Sequence, residues 1–151
     1  MSKRTRLVFL NRQREVRFDT LFVKAIAEAA LQSCLDAALP GSVLPDLEEI
    51  EITVVSDRTI GKVHGDFFDD PTATDVITFP HGEILLGAAT IASNAAEYGH
   101  QPSEELALCV VHGFMHLGGW DDLTPSDARK MARRQEQIFK SAAKVVGSPV
   151  I

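Results

Sequence analysis

Apolar residues recur at helical spacing along most of the chain, and four shorter runs of β-prone residues interrupt that rhythm. "RLVFLN" (Arg6–Asn11) predicts an opening strand. "EIEITVVS" alternates polar and apolar up to Val54, the pattern of a half-buried strand. "TDVITFP" is a β-branched run that Pro80 stops, and "EILLGAATIA" predicts a further strand after a short "HG" turn. "DTLFVKAIAEAALQSCLDAAL" predicts a helix capped by Asp19 or Thr20, with Val23, Ile26, Ala30, Leu31 and Cys34 on its core face. "PGSVLP" breaks it. "DRTIGKVHGDFF" reads as a short helix ended by the polar loop "DDPTAT", and "SNAAEYG" as a short helical piece.

Two more helices close the chain. "PSEELALCVVHGFMHLGG" has Ser103 as its expected N-cap, acidic residues in its first turn and a Gly118-Gly119 stop. It is apolar nearly all round, which marks a central buried helix. "TPSDARKMARRQEQIFKSAAKVV" places Thr124 as N-cap and Pro125 at the first helical position, with Met131, Ile138 and Val145 on its apolar face. There is no repeat or interdomain linker. The order predicts an α+β (mixed α/β) fold over residues 1–151. A single domain is expected, with a mixed four-stranded sheet, about five helices and the apolar helix at its centre.

At 151 residues and 45% hydrophobic, the chain can bury one substantial core. No apolar run reaches the roughly 20 residues of a membrane span. The basic N-terminal stretch lacks an apolar h-region with a small-residue cleavage site, so a cytoplasmic location is expected. Cys34 and Cys109 lie in apolar patterns, form no C-x-x-C motif and read as small buried hydrophobes. The net charge of −6 argues against indiscriminate nucleic-acid binding. Its distribution is uneven: residues 41–127 carry 16 acidic and 2 basic side chains, which leaves 13 basic and 5 acidic for the two ends. Those ends form either a basic face or merely solvated surfaces.

Inside the apolar helix, "VVHGFMHLGGWDD" sets His112 and His116 four residues apart, on one helical face. An unsatisfied buried polar group costs roughly 1–3 kcal/mol, so the pair needs hydrogen-bond acceptors or a metal ion. Gly118-Gly119 lets the chain turn back sharply and can return Asp122 to the same spot. Two histidines, an aspartate and an open fourth position suit a catalytic zinc. Asp121 suits either a hydrogen bond from a ligating imidazole or a cap or turn position before the next helix. Gly113 stands where metalloproteases carry the glutamate of H-E-x-x-H. Its presence argues against peptide hydrolysis and is expected to leave room for a bulky backbone to approach.

"HGFMHLGGWDD" resembles the YbeY-family signature H-G-x-L-H-L-x-G-Y-D-H, with direct matches at His112, Gly113, His116, Leu117, Gly119 and Asp121. "TDVITFP" resembles the family's T-D-V-L-S-F-P strand, "LLGAATI" is similar to its L-G-D-I, and "MARRQEQIF" to its closing M-x-x-x-Q-E-x-I-L. The likeness spans residues 5–140. It implies a metal-dependent, single-strand-specific endoribonuclease of small-subunit ribosomal RNA 3′-end maturation and ribosome quality control. It also implies one divalent ion, usually zinc, held by three histidines; by position the ligands here are His112, His116 and Asp122. Single-stranded ribosomal RNA and the small ribosomal subunit are the implied partners, with no membrane. A carboxylate in the third place still binds zinc and admits harder metals such as manganese more readily. The family's loop arginine falls on Phe68, its lysine on Asp70 and its asparagine on His64, so a phosphate contact is lost locally. Ala88 takes the place of an aspartate, and the helix before Tyr98 looks short.

The leading expectation is therefore a metal-dependent RNA hydrolase, in which the ion acidifies a water and offsets phosphodiester charge. Asp121 and His64 are the candidate catalytic bases. RNA phosphates call for basic groups, and the candidates are Arg4, Arg6, Arg12 and Arg14 at one end and Arg129, Lys130, Arg133 and Arg134 at the other. The alternative is a non-catalytic ribosome-assembly factor that keeps a structural metal.

Overall fold

Strand alternation and helical spacing sort the chain into nine main elements, seen in a computed structural model that describes residues 4–151. In order they are β1 (Arg6–Asn11), α1 (Thr20–Asp36), β2 (Glu49–Val55), α2 (Asp57–Phe68), β3 (Val76–Phe79), β4 (Glu83–Gly87), α3 (Ala88–Tyr98), α4 (Pro102–Leu117) and α5 (Pro125–Val146). A 3-10 turn at Leu44–Asp46 joins α1 to β2. The strands lie in the order β1-β2-β4-β3, all parallel except β3, which runs antiparallel to β4. The expected α+β class, four-stranded mixed sheet and five helices are all present.

The pleat divides the core in two. Ile50, Ile52, Val54, Ile84 and Leu86 point to the face covered by α1 and α4 and join the main cluster. Val55, Ile77 and Leu85 point the other way and pack with Ile60 of α2. Helix α4 sits at the centre, touching α1, α3, α5 and the sheet. It can lie so close because Gly113 has no side chain: a Cβ there would stand 2.7 Å from Ile84 Cδ1 and 3.1 Å from its Cγ2. Gly113 therefore faces the sheet. The room expected there for an approaching substrate is filled by β4.

Three local expectations are corrected by tertiary contacts. The run "EILLGAATIA" is strand only to Gly87; helix α3 begins at Ala88. Asp57, far away in sequence, accepts from the Thr90 amide at 3.0 Å and its hydroxyl at 2.7 Å, satisfying an N-terminal helix donor that no local residue caps. Helix α4 is capped by Gln101, which forms a capping box with Glu104. Ser103 is instead buried, accepting from the Asp19 amide and donating to the Ile151 carbonyl. In α5 the buried stripe runs through Met131, Ile138 and Ala142 with Val146 packed against the core, so Val145 is 82% exposed. Asp19 and Thr124 cap α1 and α5 as expected. Both cysteines are buried, and desolvation pushes the Cys34 thiol up to about 12.

Gly113→Ala is expected to destabilise the fold by about 1–3 kcal/mol in denaturant unfolding, because a packed core resists an added methyl group. Ile84→Val removes the nearest clashing atom and is expected to recover part of that loss, making the pair non-additive. Strictly additive costs would contradict the close helix–sheet contact.

Candidate metal centre

One turn of α4 separates His112 from His116, and their rings meet edge to face with centroids 4.5 Å apart. The Nδ1 atom of His116 lies 3.0 Å from the backbone carbonyl of Trp120. A carbonyl only accepts, so this contact places the His116 proton on Nδ1. Gln135 Oε1, 2.7 Å from His112 Nδ1, suits the same tautomer there. Both Nε2 atoms are then left with bare lone pairs, and they face each other at 3.0 Å. Two lone pairs cannot hydrogen-bond to one another. A shared cation resolves the contact.

The third group arrives by the glycine turn. Gly119 adopts φ of +89°, a conformation that favours glycine, and a Cβ there would crowd Ser42 and Leu39. Trp120 then pins the reversed chain by donating its indole N–H to the Ala37 carbonyl at 3.0 Å. The turn carries Asp122 back until its Oδ2 is 3.8 Å from His112 Nε2 and 3.9 Å from His116 Nε2. Among the described residues these three side chains form a group able to hold a metal ion. Two nitrogens roughly 2.0–2.1 Å from a tetrahedral ion would be about 3.3 Å apart, close to the separation found. The donor set of two imidazoles and one half-exposed carboxylate fits a divalent ion with a side open to solvent. Burial and the neighbouring His112 hold the His116 pKa below the usual histidine value, which keeps it in the neutral, ligating form.

The centre opens into a cleft of about 590 Å³ between α4, the edge strand β3 and the end of α2. His64 lines this cleft, its Nδ1 2.9 Å from the Thr72 carbonyl. Asp121 is exposed and outside the lining; its Oδ1 accepts from the Leu123 amide at 3.2 Å, a turn contact, and neither imidazole donates to it. Asp70 likewise closes a turn, accepting from the amide and hydroxyl of Thr72. The expected basic contacts lie elsewhere. Arg6 pairs with Glu49 and Arg4 sits 3.8 Å from Glu28, and no Lys or Arg lines the cleft among the described residues. Sequence reasoning missed Gln135 and Trp120 as the groups that orient the two histidines. Gln135 did carry a signal, as the matched Q of M-x-x-x-Q-E-x-I-L, whereas Trp120 acts through its backbone carbonyl, which no side-chain pattern reveals.

The sequence model of one family, Endoribonuclease YbeY, matches residues 9–143. The chain belongs to the YbeY family. It is similar to the Endoribonuclease YbeY of Symbiobacterium thermophilum, 32% identical over 134 residues that cover 78% of this chain and 82% of the relative. That of Bacillus cereus is 27% identical over 142 residues, covering 82% and 91%. A solution structure of a Thermotoga maritima protein matches with a TM-score of 0.62 at 21% identity, over 91% of this chain and 89% of that one, a likeness of fold. Set beside the YbeY signature, the aspartate in the third place, Asp122, is brought to the two histidines rather than turned away.

Gln135→Ala is expected to weaken metal affinity roughly 10- to 100-fold, the usual effect of losing the group that orients a ligating histidine. His116→Ala should lose the ion outright. Metal titration followed by calorimetry checks both, and unchanged affinity in Gln135→Ala would remove the orienting role.

Proposed function

We propose that this chain is a metal-dependent, single-strand-specific endoribonuclease of small-subunit ribosomal RNA 3′-end maturation and ribosome quality control. Zinc bound by His112, His116 and Asp122 is the proposed ion, and the cytoplasm the proposed location. The observation that carries this reading is the pair of Nε2 lone pairs converging at 3.0 Å beside Asp122, at the base of an open cleft. Membership of a family named for endoribonuclease activity supplies the reaction class. No helix among the described residues is long and apolar enough to cross a membrane.

A divalent ion held there supplies Lewis acidity, making a water easier to deprotonate and offsetting negative charge on the phosphodiester. The protein's own groups do the rest. Gln135 and Trp120 fix the imidazole orientations, so the two rings need not turn on ligation. His64, with its Nδ1 held by Thr72, presents Nε2 as the proton acceptor of the cleft. Asp121, though not a cleft-lining group, adds negative charge beside His116 and favours its cationic partner. The missing glutamate after His112 fits phosphodiester rather than peptide chemistry.

One observation favours a second reading, a ribosome-assembly factor with a structural metal: among the described residues no Lys or Arg lines the cleft to hold phosphates. The two separate on cleavage of a labelled single strand against the same sequence as a duplex. Wild type is expected to cut the single strand, and His116→Ala to be slower by at least about 100-fold, more than loss of an outer partner causes. Bound metal without cleavage would favour the assembly factor, and equal cleavage by both proteins would defeat the metal-nuclease reading.

A further inference from the structure

The cleft's electrostatics are at odds with a polyanionic substrate. Its ionisable lining is His64, Asp75, His112, His116 and Asp122. The last turn of α2 and the residues after it carry the exposed Asp66, Asp69 and Asp70, none of which lines the cleft. Apart from the proposed ion, no Lys or Arg among the described residues lines the cleft to attract phosphate. The cleft presents an aromatic ring instead. Phe68 is the last residue of α2 and lines the cleft, yet it is 54% exposed. Its ring is tilted 52° against His64, with centroids 5.5 Å apart. His64 in turn is fixed by its hydrogen bond to Thr72. Asp69, in the left-handed region at φ 57°, ends the helix here. The neighbouring Phe67 differs, packing edge-on against Phe79 at 5.3 Å outside the cleft lining.

An exposed aromatic face in the cleft of the reacting centre, which no described Lys or Arg lines, matches one feature of RNA that carries no charge. We infer that Phe68, braced by His64, is a stacking platform for an unpaired RNA base, so that this cleft selects its substrate by exposed bases rather than by phosphate charge. This rests on the endoribonuclease reading and gives its single-strand preference a physical origin. A base in a duplex is already stacked and paired, and cannot lay its face on Phe68 without being pulled out. A base in a single strand can do so freely. Stacking on an aromatic side chain is sequence-tolerant because every base has a π-face, with purines favoured by their larger area.

Fluorescence anisotropy of the metal-loaded full chain tests this with three labelled probes of equal length: oligoadenylate, oligouridylate and an abasic ribose-phosphate strand. Wild type is expected to bind them in that order of decreasing affinity. Phe68→Ala should weaken oligoadenylate binding roughly 5- to 100-fold, the range for losing one stacked base, and leave the abasic strand unchanged. Phe68→Trp should restore binding, and Phe67→Ala should stay within about twofold of wild type. Raising salt from about 50 to 200 mM should weaken wild-type binding by less than about tenfold, against roughly 10³–10⁵ for a protein with 6–10 phosphate contacts. Unchanged metal content and thermal midpoint in Phe68→Ala show that the half-exposed ring is not needed for folding. Equal affinity of Phe68→Ala and wild type for oligoadenylate would overturn the platform while leaving the nuclease reading intact. So would abasic binding as tight as oligoadenylate. Absence of any RNA binding or cleavage by metal-loaded wild type would overturn both.

Discussion

Two imidazole nitrogens with bare lone pairs, 3.0 Å apart, make an unfavourable contact unless a cation lies between them. The structure holds that contact in place from three directions. Helical spacing puts the rings on one face, while Gln135 from α5 and the Trp120 carbonyl fix the remaining proton of each ring. The core of α1, α4 and the sheet supplies the stability against which this arrangement is held. A buried helix is the right carrier, because its backbone cannot shift to relieve the two rings.

The order of the sheet decides what the metal centre faces. Strand β3 is the antiparallel edge, so its outer side is free and Thr78 and Pro80 form one wall of the cleft. Helix α2 covers the opposite face of the sheet and ends beside the same cleft with Phe68. Gly113 lets α4 lie against β4 and so sets how deep the histidines sit. The wall, the floor and the aromatic rim thus come from separate packing requirements. In the acidic middle of the chain, from residue 41 to 127, an ion held by this triad would add positive charge among 16 acidic and 2 basic side chains.

Much of this was legible in the chain itself. Alternation in Glu49–Val55 and the all-round apolar pattern of α4 pointed to the sheet and its central helix, because period and burial are local properties. The H-x3-H spacing with its glycine turn likewise led to His112, His116 and Asp122. What escaped was set by distant partners. The start of α3 depends on Asp57, the cap of α4 frees Ser103 for Asp19, and the histidine tautomers depend on Gln135 and Trp120. Gly113 was misread for the same reason, since its neighbour Ile84 is far away in sequence. Asp121 had two readings, and its hydrogen bond to Leu123 is the turn contact of the second.

The central claim is the paired tautomer of His112 and His116, and nitrogen-15 NMR of the imidazole rings reads it directly. Both residues are expected to carry their proton on Nδ1 in the metal-loaded protein, and loading with zinc should shift both Nε2 resonances together. A proton found on Nε2 of either ring in the loaded protein, or a shift confined to one histidine, would contradict the account.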